Sequence, residues 1–213
     1  MSKFLNIVST GNWYLEILLG LYAGLRKGEI LGLKFSDFDL KEKTVTIQRQ
    51  LASEYKIKKE SFNVESHQKV ERNPKTSNSI RTILLPDIII NEVKRRKSEI
   101  QVIKEFNKDY NDNDYVSAQD NGNSRSFSAL NLYIDRVCKR NGIRKITVHG
   151  LRHMFATILI ENGVPIAKIS AILGHASIHT TFDFYLDVTD EKNKISAFMN
   201  NVYNMEGMVS NNE

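Results

Sequence analysis

Apolar and polar positions along this chain fall into helical and strand periods separated by turn-rich breaks. Residues 13–25 place Trp13, Ile17, Leu21 and Leu25 on one face of a helix, and 28–34 read as a second, shorter one. Thr44 to Gln50 alternates and is rich in β-branched residues, which predicts a strand. Residues 51–73 are polar with scattered apolar positions, a pattern of long loop or irregular strands. Pro74 to Ser79 has turn composition, and Ile80 to Leu85 returns as a strand. Together these segments predict a small antiparallel sheet with an extended hairpin whose tip carries Lys75.

From Pro86 onward the pattern is helical. Residues 87–103 turn Ile89, Val93 and Ile100 inward, and the Asn- and Asp-rich 106–124 read as a surface loop. Helices follow over 126–140, closed by Asn141-Gly142, and 147–161, closed by Asn162-Gly163. The second of these has Leu151, Phe155, Ile158 and Leu159 as its buried stripe. Pro165 opens another helix that ends at Gly174. A short helix over 178–185 and an amphipathic one over about 190–203 complete the reading, the last with Ile195, Phe198, Met199 and Val202 on one face. The sum is an α+β fold, a mostly helical domain over 1–188 with a small antiparallel β-sheet and a β-hairpin, and a C-terminal helical tail over 189–213.

Composition narrows the class. The chain has 213 residues, 41% of them hydrophobic, enough for one sizeable core. Its one cysteine, Cys138, excludes a disulfide framework and a structural zinc site, and suits a reducing compartment. The run from Tyr14 to Gly24 is interrupted by Glu16 and is too short to span a bilayer, so a cytoplasmic protein with no membrane partner is expected. Net charge is +5, unevenly spread: residues 186–213 carry net −3 and the remainder net +8. A basic body favours a polyanionic partner.

Three segments carry candidate chemistry, and each also reads as ordinary structure. In Thr147-Val-His-Gly-Leu-Arg-His153, His149 and Arg152 lie one helical turn apart and can face a common phosphate, or they are a solvated face. His149 and His153 have the spacing of a metal pair, but Gly150 stands where a zincin helix has Glu, so no metal is expected. In Gly24-Leu-Arg-Lys-Gly-Glu29, Glu29 can buttress Arg26, or the two form a surface ion pair. In Leu173-Gly-His175, the glycine caps a helix, and His175 either faces a site or satisfies exposed carbonyls. Tyr185 follows ten residues on, amid aromatics.

The order of these motifs adds what none carries alone. Gly-Leu-Arg-x-x-Glu, a lysine after a turn proline, His-x-x-Arg-His, Leu-Gly-His, and a tyrosine ten residues later resemble the tyrosine recombinase or phage integrase family, from about Trp13 to Tyr185. The flavour is that of phage and conjugative-transposon integrases. The resemblance implies Arg26, Lys75, His149, Arg152, His175 and Tyr185 as catalytic residues, with Glu29 and His153 in support. Lys69 lies near enough to Lys75 to compete for the lysine role. Gly150 departs from the Asp common in the family, and Leu186 and Asp187 stand where it often has His or another polar residue.

The resemblance further implies double-stranded DNA as partner, a homotetramer on DNA joined through the tail, and accessory DNA-bending proteins. It implies no cofactor and no metal. Core-binding and arm-binding domains common ahead of this one are absent from the chain, so a catalytic fragment of a longer integrase is expected. Lys27, Lys69, Arg72 and Arg81, with Lys56, Lys58 and Lys59, are expected to meet the DNA backbone, which positions without specifying sequence. The alternatives are a type IB topoisomerase-like activity, or a non-catalytic DNA-binding module that kept the fold.

Overall fold

The computed structural model describes residues 1–57, 64–72, 80–175 and 177–182. The apolar run folds as α2 (Tyr14–Tyr22), preceded by a helix that periodicity over so short a stretch does not predict, α1 (Ser2–Val8), and followed by α3 (Lys27–Gly32). Phe4 and Val8 of α1 are buried, and Leu15, Ile17, Leu18, Leu19 and Leu21 of α2 are buried almost all round. A helix apolar on every side belongs at the centre of a core. α2 packs against α6 (Val148–Glu161).

After a 3₁₀ turn at Phe35–Asp37, β1 (Phe38–Asp39) and β2 (Thr44–Ile47) begin a three-stranded antiparallel sheet in the order β1-β2-β5, with β5 spanning Arg81–Leu84. The register pairs Thr44 with Leu84 and Ile47 with Arg81. β2 stops earlier than expected. At Gln48 and Arg49 both side chains turn to the buried carboxylate of Asp37, the Gln48 amide at 2.7 Å.

The region expected to be irregular is a second, two-stranded antiparallel sheet, β3 (Gln50–Ile57) with β4 (Val64–Arg72). Its pairing is regular from Gln50–Arg72 to Lys56–Ser66. Polar residues hide this hairpin from a periodicity argument, because ion pairs help to dock it and, among its described residues, only Leu51 is a buried apolar one. Glu71 reaches Lys34 at 3.2 Å and Arg49 at 3.4 Å, and accepts a hydrogen bond from the Tyr115 hydroxyl at 3.0 Å. Lys75 follows β4 in sequence and lies outside the described residues.

The remaining described helices are α4 (Asp87–Phe106), α5 (Phe127–Arg140) and α7 (Ile166–Leu173), with residues 178–182 also helical. α4 runs three residues beyond its expected end. α6 buries Val148, Leu151, Arg152, Ala156 and Ile160, while Ile158, expected inward, is 45% exposed. The tail helix over 190–203 lies outside the described residues. Among those residues, no helix is long and apolar enough to cross a membrane.

Glu16, the one acid in the apolar run, is fully buried. Its Oε1 accepts from Arg96 Nη1 at 3.0 Å and from the Ser117 hydroxyl at 2.6 Å, tying α2 to α4 and to the loop before α5. The middle of that loop is therefore core rather than surface, with Val116 and Ser117 each 1% exposed. Arg96→Met should strand the Glu16 carboxylate. Arg125, at 3.6 Å, is too distant to replace the lost hydrogen bonds. We expect a loss of about 3–5 kcal/mol in urea denaturation.

Candidate active site

The site is assembled from two left-handed glycines. Gly24 (φ 64°) ends the turn after α2, and Gly174 (φ 64°) closes α7. A Cβ at Gly24 would lie 2.5 Å from Phe155, and one at Gly174 would lie 2.8 Å from Arg81 Nη1. Only glycine fits either place. Each turn offers its carbonyl across the site. The Gly24 oxygen accepts from Arg152 Nη1 at 2.6 Å, and the Gly174 oxygen accepts from Arg26 Nη2 at 2.9 Å.

The C-terminal end of α7 thus presents three consecutive carbonyls to three arginines. Ile172 accepts from Arg81 Nε at 2.7 Å, Leu173 from Arg152 Nη2 at 2.9 Å, and Gly174 from Arg26. A helix C-terminus carries unpaired carbonyls and the negative end of the helix dipole, so it suits guanidinium groups. Segments far apart in sequence converge here for that reason.

Glu29 lies at the centre of the cluster. It accepts from the Arg26 backbone N–H at 2.8 Å, Arg26 Nη1 at 2.9 Å, Arg81 Nη1 at 3.0 Å and Arg81 Nη2 at 2.8 Å. Four donors fill the acceptor capacity of one carboxylate. Burial opposes its ionisation, but the hydrogen bonds and charge of Arg81, then those of Arg26, outweigh it and hold the carboxyl below its ordinary range. Arg152 is 4% exposed. Burial first, then the like charges of Arg26 and Arg81, pull its pKa down to about 9. It remains cationic at neutral pH, in a place where an arriving anion relieves the repulsion.

Arg26, Lys27, Asn131, Thr147, Val148, His149 and Arg152 line a cleft of about 270 Å³. The α6 N-terminus opens on it, with the Thr147 hydroxyl capping the Gly150 N–H at 2.9 Å. Helix N-termini favour anions. Arg26 and Arg152 both line the cleft, and each spends on the partners above only two of the five N–H groups a guanidinium carries. His149 is exposed and meets His153 edge-on at 4.1 Å between ring centroids. Burial, then His149 and Arg152, lower the His153 pKa.

His175 follows Gly174, and its Nδ1 lies 2.7 Å from the Thr181 hydroxyl. Thr181 is fully buried and was not singled out from sequence; a threonine six residues after the histidine is the only trace. In the tautomer in which Nδ1 accepts the hydroxyl proton, Nε2 carries the hydrogen and is a donor. Burial, then Arg152, Arg26 and Arg81, pull the His175 pKa down to about 4. The imidazole is therefore neutral at pH 7. Because this pKa lies below the ordinary 6.5, its contribution to stability is complete above pH 6.5 and is lost as pH falls through about 4. We expect NMR of the free protein to place its titration near pH 4, and added DNA to move it upward.

The expected DNA contacts divide. Lys27 is at the cleft, its ammonium 5.7 Å from the centre of the Phe127 ring. Arg72 pairs with Glu54 at 2.7 Å on the exposed hairpin. Lys69 donates to the carbonyls of Ser124 and Arg125, which anchors β4 to the loop before α5. Arg81, expected among the DNA contacts, is an internal strut. Its side chain is 8% exposed and all three of its nitrogens donate within the protein, to Ile172 and to Glu29. Tyr185 lies outside the described residues.

The Phage integrase family matches residues 5–192. A XerC-like tyrosine recombinase of Caldanaerobacter subterraneus subsp. tengcongensis is 35% identical over 175 residues, covering 80% of this chain and 44% of the relative. The integrase of Staphylococcus phage L54a is 28% identical over 173 residues, covering 80% and 46%. The chain thus spans less than half the length of these relatives. The integrase of transposon Tn1549 in complex with transposon right end DNA shares the fold, with TM-score 0.71, 20% identity, and coverage of 92% of this chain and 62% of that one. XerA recombinase does so with TM-score 0.66, 23% identity, and coverage of 93% and 62%.

Proposed function

Because this chain belongs to the phage integrase family, we propose that it is the catalytic domain, over 1–188, of a site-specific DNA recombinase that cuts and rejoins strands to integrate or excise a mobile element. The observation that carries this reading is the cross-tied pair Arg26 and Arg152, with donors to spare at one cleft. Displacement at a phosphodiester builds negative charge on the non-bridging oxygens. Two forked guanidinium groups that stay charged at neutral pH stabilise that charge without reorganising.

In the proposed reaction the Tyr185 phenol oxygen attacks phosphorus, the bond to the 5′-oxygen breaks, and a 3′-phosphotyrosyl link forms. His149 accepts the phenol proton and Lys75 gives one to the departing 5′-oxygen. His175, neutral and held by Thr181, donates from Nε2 to a phosphate oxygen. Attack by a new 5′-hydroxyl reverses the steps, so no cofactor or metal enters them. The partner is double-stranded DNA in the cytoplasm. A homotetramer joined through the 189–213 tail, with accessory DNA-bending proteins, is the proposed working form. Domains that bind the core and arm sites are proposed for the rest of a longer integrase.

The test uses duplexes nicked near the cleavage position and randomised in sequence, so that cleavage releases a short strand and traps the protein. A covalent adduct that resists denaturation and contains phosphotyrosine is expected. Binding without an adduct, for any sequence in the pool, overturns the enzymatic reading and leaves a DNA-binding module.

A further inference from the structure

We propose that Arg81 is a positioning residue for the phosphate cleft: by holding both oxygens of Glu29, it keeps Arg26 charged in effect and turned toward the cleft. The inference rests on the reading of the cleft given above. Arg81 sits on β5 and does not line the cleft. Its Nη1 and Nη2 grip the two Glu29 oxygens in a fork, while Arg26 Nη1 meets one of them.

The consequence is electrostatic and geometric. A buried carboxylate with one arginine partner draws that guanidinium into a fork of its own and cancels its charge. Here a second arginine occupies the fork. Arg26 is left with one side-chain bond to Glu29, and its Nη2 is free to reach the Gly174 carbonyl. Three guanidinium groups then face one carboxylate, and the cluster keeps a net positive charge for an incoming phosphate.

The Ile172 bond adds the geometric part. Arg81 fixes the first of the three carbonyls at the α7 end, and the next two hold Arg152 and Arg26. Gly174 is the glycine this arrangement requires, since a Cβ there would lie 2.8 Å from Arg81 Nη1. The strut explains an arginine buried in a strand whose place near the expected hairpin assigns it to the DNA surface.

The experiment compares wild type, Arg81→Gln, Arg81→Lys and the double variant Glu29→Gln/Arg81→Gln. Three quantities are read: duplex affinity, the single-turnover rate of adduct formation from bound duplex, and a crystal structure of Arg81→Gln. We expect Arg81→Gln to slow adduct formation about 10- to 100-fold, as loss of a supporting partner typically does. Duplex affinity should change far less than the rate, because Arg81 makes no direct phosphate contact. Removing the carboxylate as well should restore most of the rate, and Arg81→Lys, which keeps the charge without the fork, should lie between. In the crystal, Arg26 should swing to hold both Glu29 oxygens and leave Gly174.

An Arg81→Gln variant that binds DNA weakly but reacts at the wild-type rate once bound overturns the proposal and makes Arg81 a backbone contact. So does an unmoved Arg26, or a double variant as slow as the single. If Arg81→Gln does not fold, the double variant, which leaves no unpaired buried charge, and Arg81→Lys decide by the same rates. If wild type forms no adduct, the recombinase reading fails instead, and the position of Arg26 in the variant crystal still decides the role of Arg81.

Discussion

Arg26→Ala and Arg152→Ala are each expected to slow covalent attachment to a nicked duplex by a factor of about 100 to 1,000, the usual loss on removing one donor to a transition-state oxyanion. The two should differ in stability. Arg152 is buried and bridges the Gly24 and Leu173 carbonyls, so its removal strands two acceptors, at a cost of about 1–3 kcal/mol each. The Arg26 side chain is 38% exposed, and Arg81 remains to neutralise Glu29. Its variant should melt near wild type yet react slowly. Arg152→Lys separates charge from geometry. It keeps the cation but not the planar fork that spans two carbonyls, and should recover little of the rate. Adduct yield against time, with melting temperature in parallel, checks all three.

Tyr185→Phe is expected to abolish the adduct while leaving duplex affinity within about twofold, because the ring stays and the uncharged hydroxyl adds nothing to the phosphate attraction that dominates affinity. A phenol with a pKa near 10 is ionised to about one part in a thousand at neutral pH. In the proposed reaction the arginine cluster favours the phenolate and a base takes the proton. An adduct formed by the Phe variant would move the nucleophile to another residue, and peptide mapping of the wild-type adduct identifies it.

The residues that meet at the cleft were legible as motifs because each motif is local: Gly-Leu-Arg-x-x-Glu contains both a carbonyl and the arginine with its acid. Their wiring was not. Arg81 and Glu29 are 52 positions apart, and nothing in a strand reading shows that a charged side chain turns inward to a partner on a helix. The same holds for Glu16, which looks like a break in an apolar run and is a buried hub bound by Arg96. Periodicity found α2, α4, α5, α6 and α7, whose faces bury apolar residues. It missed the β3–β4 pairing because, among the described residues of the two strands, only Leu51 is buried, and the pairing is made by backbone bonds. It missed α1 because Phe4 and Val8 give only one turn's worth of spacing. Thr181 acts through a single hydrogen bond to His175, which no pattern of spacing announces.

The central claim is that Arg26 and Arg152 hold one and the same phosphate, and a crystal structure of the protein with a nicked duplex trapped at cleavage tests it most directly. The account predicts that the phosphate joined to the tyrosine accepts hydrogen bonds from both guanidinium groups, with His175 Nε2 on a third side. A phosphate held by one arginine alone, with the other directed to a neighbouring phosphate or retained wholly by the α7 carbonyls, would contradict it.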